Sequence, residues 1–318
     1  MIDSHGRNIN YLRISVTDLC NLRCKYCMPE KGIKKTCHDE ILRFEEIEEI
    51  VKKFVSLGIK KIRITGGEPL VRAGIITLIE KLSKLKGIEE IAMTTNGTLL
   101  KKYAKELKEA GLTRVNISLD TLVDEKYRTI TKGGILKEVL EGISEAKKVK
   151  LTPIKLNVVL IKDFNEDEIM DFIYLTKDEE IDVRFIELMP IGQLKQWSLN
   201  RYLSNEIVIK KVPELIQIES RDISSPARHY RLPDGKGNVG LINPISCKFC
   251  SNCNRIRLTA DGKLKACLHS NNEIYIKGLM RDGKDITEVL YNIVKHKPKE
   301  HGLENGEYIE REMTAIGG

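Results

Sequence analysis

Aromatic residues are scarce in this chain: one Trp, six Phe and ten Tyr among 318 residues. A sequence-tolerant nucleic-acid binder stacks bases on rings set in a basic groove, and no dense basic stripe with interleaved aromatics occurs here. No apolar run approaches the ~18 residues that cross a bilayer. The opening Met1-Ile2-Asp3-Ser4-His5-Gly6-Arg7-Asn8 lacks the apolar stretch of a secretory signal. Internal repeats and low-complexity tracts are lacking too. A cytoplasmic protein with no membrane and no nucleic-acid partner is therefore expected. At 41% hydrophobic and 31% charged residues the chain is not disordered. Its length suits one large or two moderate domains with a core that needs no disulfide staple. The net charge of +7 mildly favours an anionic substrate; a soluble charged surface is the plain alternative.

The first 190 residues alternate two textures. Short β-branched runs recur at Tyr11–Thr17, Lys61–Thr65, Ile91–Thr95, Arg114–Leu119, Ile154–Ile161 and Asp182–Met189. Helix-like stretches lie between them. In 44–57, Ile47, Ile50, Val51, Phe54 and Val55 form one apolar stripe, and 74–85, 99–110, 135–148 and 165–177 read similarly. Strands alternating with helices predict parallel pairing through right-handed crossovers, as an open sheet or a partial barrel. Polar and special residues collect where the strands end, the edge at which such folds bind ligands. After Pro190 the texture turns loop-rich, with short β-like pieces. The expected division is 1–190 and 191–318.

Eight cysteines stand out, and in a cytosolic chain they are more often ligands or catalysts than disulfides. Cys20-x3-Cys24-x2-Cys27 follows the first strand. Spacings of 0, 4 and 7 also share a helix face, but Asn21, Arg23, Lys25 and Pro29 would make a poor core helix. Three thiolates in eight residues suit a [4Fe–4S] cluster with one iron left open. The second group is Cys250-x2-Cys253-x13-Cys267, with Cys247 upstream. Zinc is a serious alternative there, with Cys247 as fourth ligand; the other is a second cluster with an open iron. Arg255 and Arg257 alternate with apolar residues and share one strand face. Asp261-Gly262 predicts a two-residue hairpin turn. Pairing outward from it sets Cys267 opposite Ile256, so a bulge or a twisted strand end is needed to bring it to the arginine face.

Cys20-Asn21-Leu22-Arg23-Cys24-Lys25-Tyr26-Cys27 resembles the signature of radical S-adenosylmethionine enzymes, and Gly66-Gly67-Glu68-Pro69 resembles their motif for the cofactor's amino group. The chain as a whole is similar to the GTP 3′,8-cyclase family of molybdenum cofactor biosynthesis. The matching stretches are 12–18, Cys27-Met28-Pro29, 63–69, Thr94-Thr95-Asn96-Gly97, 116–120, 184–189, 253–258 and the final Gly317-Gly318.

That resemblance implies a partial (β/α)6 barrel of parallel strands and a smaller C-terminal region carrying a second cluster. It implies two [4Fe–4S] clusters, S-adenosylmethionine and GTP. Cys20, Cys24 and Cys27 would hold the first cluster, and Cys250, Cys253 and Cys267 the auxiliary one, whose free iron meets the guanine. Tyr26, Gly67, Ser118, Arg184 and Met189 would bind the cofactor. Arg13, Arg63, Thr94, Lys155, Arg255 and Arg257 would contact GTP. Arg255, Arg257, Gly317 and Gly318 are the expected catalytic set, with the glycine tail entering the active site. Partners implied are a one-electron donor of ferredoxin or flavodoxin type, a downstream cyclic pyranopterin monophosphate synthase and a second copy of the chain in a homodimer. Cys247 and Cys37 are expected to be spare thiols. The competing readings are a radical peptide-modifying enzyme with an auxiliary cluster and a zinc-ribbon binding protein, which leaves the first triad unexplained.

Overall fold

The structure is a computed structural model that describes residues 1–29, 32, 37–220 and 222–317. Six parallel strands alternate with helices: β1 Tyr11–Ser15, α1 Phe44–Ser56, β2 Lys61–Thr65, α2 Ile75–Ser83, β3 Glu90–Thr95, α3 Leu100–Glu109, β4 Arg114–Ser118, α4 Asp124–Thr131, α5 Leu136–Lys148, β5 Ile154–Leu160, α6 Ile169–Asp178 and β6 Ile181–Glu187. Each expected strand is present; α4 was not foreseen, because its apolar residues, Tyr127 and Ile130, are few. The α1 stripe buries Ile47, Ile50, Val51 and Phe54, and Glu46 closes its first turn by accepting from the Arg43 amide at 2.7 Å.

Strand order follows chain order from β1 to β6. Right-handed crossovers between sequential neighbours keep the helices on one face, so the sheet curls around its other face. On β5 this is plain: Ile154, Leu156, Val158 and Leu160 are buried towards the helices, while Lys155, Asn157 and Val159 alternate to the lumen.

Residues beyond 190 extend both edges of the same sheet. After α7 Lys195–Asn200 and α8 Glu206–Lys211 come β7 Ile216–Ile218, β8 Ala227–Arg231 and β9 Val239–Ile242, with β9 parallel to β6. The chain then crosses to the opposite edge. There β10 Arg255–Leu258 runs parallel to β1, followed by β11 Lys263–Lys265 and β12 Ile274–Tyr275. Among the described residues the sheet has twelve strands, with eight parallel ones in the middle, and is open between its end strands. The β7–β8 loop spans the lower mouth. Arg255 Nη2 donates to Ser224 O at 2.6 Å and Lys61 pairs with Asp222 at 3.2 Å. Helices α9 Ile276–Arg281, α10 Thr287–Lys295 and α11 Met313–Ile316 complete the chain. Among the described residues no helix is long and apolar enough to cross a membrane.

The hairpin register differs from expectation by one residue. Arg257 pairs with Lys265 and Leu258 with Leu264, so the loop is Ala260-Asp261-Gly262. Gly262 has φ +80, and the Thr259 amide donates to Lys263 O at 2.9 Å, the pattern of a three-residue loop with a glycine bulge. The bulge required to turn Cys267 lies in the loop itself. Continued two residues, this register sets Cys267 level with Arg255, on the lumen side.

Candidate active site

The cysteine segment after β1 is a loop with one turn, not a helix, which removes the buried-helix alternative for Cys20, Cys24 and Cys27. Backbone bonds hold it on two sides. Gly67 N donates to Thr17 O at 2.7 Å and Glu68 N to Leu19 O at 2.8 Å, while Arg23 N and Lys25 N reach Thr131 O and Ile130 O. A Cβ on Gly67 would collide with the Leu19 and Asp18 carbonyls, so glycine is what lets the two loops touch. Two acids brace this end. Glu68, wholly buried, accepts from Leu70 N, Thr95 Oγ1 and Asn96 N, and burial pushes it up to about 7. Asp120 accepts from Tyr26 at 2.6 Å and from Val159 N at 2.8 Å, and burial pushes it up to about 6.

Register places the cations. Arg257 on β10, Arg13 on β1 and Arg63 on β2 are direct neighbours across three strands. Like charges opposed in this way repel unless an anion lies between them. Burial lowers all three, and neighbouring cations add to the effect for Arg13 and Arg257; Arg257 falls to about 10. Burial and nearby arginines also bring Arg184 to about 9 and Lys155 to about 8. The nearest carboxylates are already engaged: Asp182 with Lys155 at 3.1 Å and Glu90 with Arg114 at 2.7 Å. Several buried polar atoms lack a partner among the described residues, including Arg63 Nε, Arg184 Nε, Thr94 Oγ1 and Asn157 Oδ1. Unmet buried groups of this kind fit a polar ligand in the lumen.

At the opposite wall lie Cys250, Cys253 and Cys267. Glu187, at the end of β6, accepts from the Ile245 and Ser246 amides, each at 3.0 Å, and fixes the chain ahead of them. Arg7 fastens the other side: Nη1 donates to Cys250 O at 2.9 Å, Nη2 to Lys297 O at 3.0 Å, and Nε to Asp3 at 2.7 Å. Burial alone would raise the Cys253 thiol, but the charges of Lys297, Arg255 and Arg7 bring it below its ordinary value.

One cavity of about 830 Å³ joins these parts. Both triads line it, with Tyr26, Gly67, Ser118, Arg184 and Met189 near the first and Arg13, Arg63, Thr94, Lys155, Arg255 and Arg257 between the two. Ser118, Asn157 and Arg184 stand level on β4, β5 and β6. Arg257 Nη1 donates to Gly317 O at 2.7 Å, so the tail reaches the lumen of its own chain; Gly318 lies outside the described residues. Cys37 and Cys247 are exposed and do not line the cavity. Sequence reasoning gave Glu68 only its place in the Gly66-Gly67-Glu68-Pro69 motif, and gave Asp120, Glu187, Arg7 and Lys297 no role. The first three carry a signal, since each is an acid at the end of an apolar β run.

The first triad fits an iron–sulfur centre. Burial pushes the Cys27 thiol up to about 12 and Cys24 well up, and the neighbouring thiols and Asp120 push the same way. Thiols that resist ionisation together are stabilised as thiolates by cationic metal. Among the described residues no three His, Cys, Asp or Glu side chains converge on one metal ion. Cysteines around a cubane bind separate irons and stand wider apart than ligands of a single zinc.

Comparisons with known proteins agree with this geometry. Residues 14–175 match the radical SAM superfamily and 181–303 match the family described as Molybdenum Cofactor Synthesis C. The GTP 3′,8-cyclase of Peptoclostridium acidaminophilum is 61% identical over 319 residues, covering 100% of this chain and 98% of its own. That of Alkaliphilus oremlandii is 57% identical, with 100% of both chains covered. Among solved structures, Streptococcus suis SuiB bound to its precursor peptide SuiA has a TM-score of 0.63 at 16% identity; the match covers 90% of this chain and 65% of that one, and is a likeness of fold.

Proposed function

The chain belongs to the radical S-adenosylmethionine superfamily and, within it, to the GTP 3′,8-cyclases, and on that premise we propose that GTP is cyclised in the cavity between its two cysteine triads. It is an enzyme that converts GTP to (8S)-3′,8-cyclo-7,8-dihydroguanosine 5′-triphosphate, the first step of molybdenum cofactor biosynthesis. A [4Fe–4S] cluster and S-adenosylmethionine belong to that chemistry. Cys20, Cys24 and Cys27 would hold the cluster and leave one iron for the cofactor's amino and carboxylate groups. When bound, this pair would supply one-electron radical chemistry at C3′ of GTP, from which the C3′–C8 bond of the product follows.

The remaining work falls to this chain. Tyr26, braced by Asp120, with Gly67, Ser118, Met189 and Arg184, frames the cofactor. Arg13, Arg63, Thr94 and Lys155 grip the nucleotide, with Arg255 and Arg257 completing the grip from β10. Fixing C3′ in the reacting position is worth ~7–11 kcal/mol when the geometry is right. Cys250, Cys253 and Cys267 would hold a second [4Fe–4S] cluster at the guanine end of the cavity. Gly317 closes the lumen beside Arg257, and Gly318 shares its proposed catalytic role. Residues 1–190 thus carry the cofactor half and 191–318 the auxiliary-cluster half. A ferredoxin- or flavodoxin-type donor supplies single electrons, and a cyclic pyranopterin monophosphate synthase takes the product.

The observation that carries this reading is the row Arg257–Arg13–Arg63 between two thiol triads. Three level guanidiniums suit a polyphosphate and not a peptide. Anaerobically reconstituted protein should hold about eight irons per chain, four for each cluster. With dithionite, GTP and S-adenosylmethionine it should form the cyclised nucleotide, identified by mass. Four irons with tightly held zinc, or 5′-deoxyadenosine formed regardless of GTP, would overturn it.

A further inference from the structure

Lys297 follows α10 and is 2% exposed. Its Nζ donates to the Ala266 carbonyl, next to Cys267, and its own carbonyl is held by Arg7. No carboxylate pairs with it among the described residues. It lines the cavity with Cys250, Cys253 and Cys267. A buried ammonium with only a carbonyl for company is strongly unfavourable unless an anion lies close by. A three-thiolate [4Fe–4S] centre is such an anion. Its net charge is one negative when oxidised and two negative after taking one electron from an external one-electron donor, with no proton moving.

We infer that Lys297 is the fixed counter-charge of the second cluster and raises its reduction potential, without itself gripping the nucleotide. Lys297 is tied to the chain that carries Cys267, whereas Arg255 donates to Ser224 O and Arg257 to Gly317 O, away from that chain. This rests on the proposed second cluster.

The test uses full-length protein with Cys20, Cys24 and Cys27 all changed to Ala, so that only the second centre can load. Its midpoint is read by electron paramagnetic resonance during a mediated redox titration. Lys297→Met and Lys297→Gln should each weaken reduction at least tenfold, a fall of 59 mV or more for one electron. Lys297→Arg and the exposed-site control Lys299→Met should stay within twofold. An unchanged midpoint in the neutral variants, or an equal fall in the arginine variant, overturns the inference. Loss of iron from both neutral variants but not from the arginine variant supports it; loss from all three overturns it. GTP affinity of the neutral variants with all six ligand cysteines intact should change less than twofold, and a large loss would make Lys297 a nucleotide ligand instead. If the parent protein without the first triad holds zinc or no iron, the second-cluster reading falls first, and that result is distinct from an unmoved potential.

Discussion

Arg257 has two partners in prospect, the carbonyl of Gly317 and the phosphates of GTP. Replacing it with Ala removes one charge-assisted contact, worth about 1.5–3 kcal/mol, so GTP binding should weaken about 10- to 100-fold in anaerobic calorimetry. Unchanged affinity would detach the arginine row from the substrate. Glu68 gives a pH signature. Its pKa is raised from 4.5 to about 7 in the folded chain. The folded state therefore holds a proton that the unfolded state has lost across that window, and stability falls as pH rises through it. Asp120, raised to about 6, adds in the same sense. The cluster-free chain should melt higher at about pH 5 than at about pH 8, and Glu68→Gln should narrow that gap. Residues such as Arg13 and Arg63 were legible only through the motifs around them. Taken alone, an arginine in a β run faces solvent as readily as a lumen, and register decides which.

The hairpin between β10 and β11 shows what an element adds to its residues. Asp261-Gly262 signals a turn, but the choice between a two- and a three-residue loop depends on Gly262 φ and on the Thr259–Lys263 pairing, which one sequence does not reveal. That single-residue slip moves Cys267 from the wrong face to the right one. A side chain at Gly262 would be strained by its positive φ and would collide with Lys277. Gly262→Val should therefore lose iron from the second centre while the first keeps about four irons. Gly67→Ala should do the converse, since its Cβ would push the Cys20–Cys27 loop off the Leu19 and Asp18 carbonyls. Iron and sulfide analysis of both proteins reads the result; equal loss from both centres in either variant would contradict the separate placement of the two loops.

Across the whole molecule, the strands and most helices of the first 190 residues were legible because period-2 and period-3.6 patterns are local. The β10–β11 hairpin was legible as well, but the places of β9 and β10 in the sheet were not, because they find their partners across it, at β6 and β1, and nothing local names those partners. Arg7 is the clearest case: it ties the N-terminal segment to Cys250 and to 297–299, more than 240 residues away. Arg7→Ala leaves Asp3 buried without its ion-pair partner and should cost about 3–5 kcal/mol of stability, measurable by denaturant unfolding of the cluster-free chain. The account as a whole turns on how GTP lies between the triads, and isotope transfer reads that directly. With GTP carrying deuterium at C3′, the 5′-deoxyadenosine released should be one mass unit heavier and the cyclised nucleotide should have lost the label. Unlabelled 5′-deoxyadenosine beside a nucleotide that keeps its deuterium would contradict the seating of C3′ towards Cys20, Cys24 and Cys27.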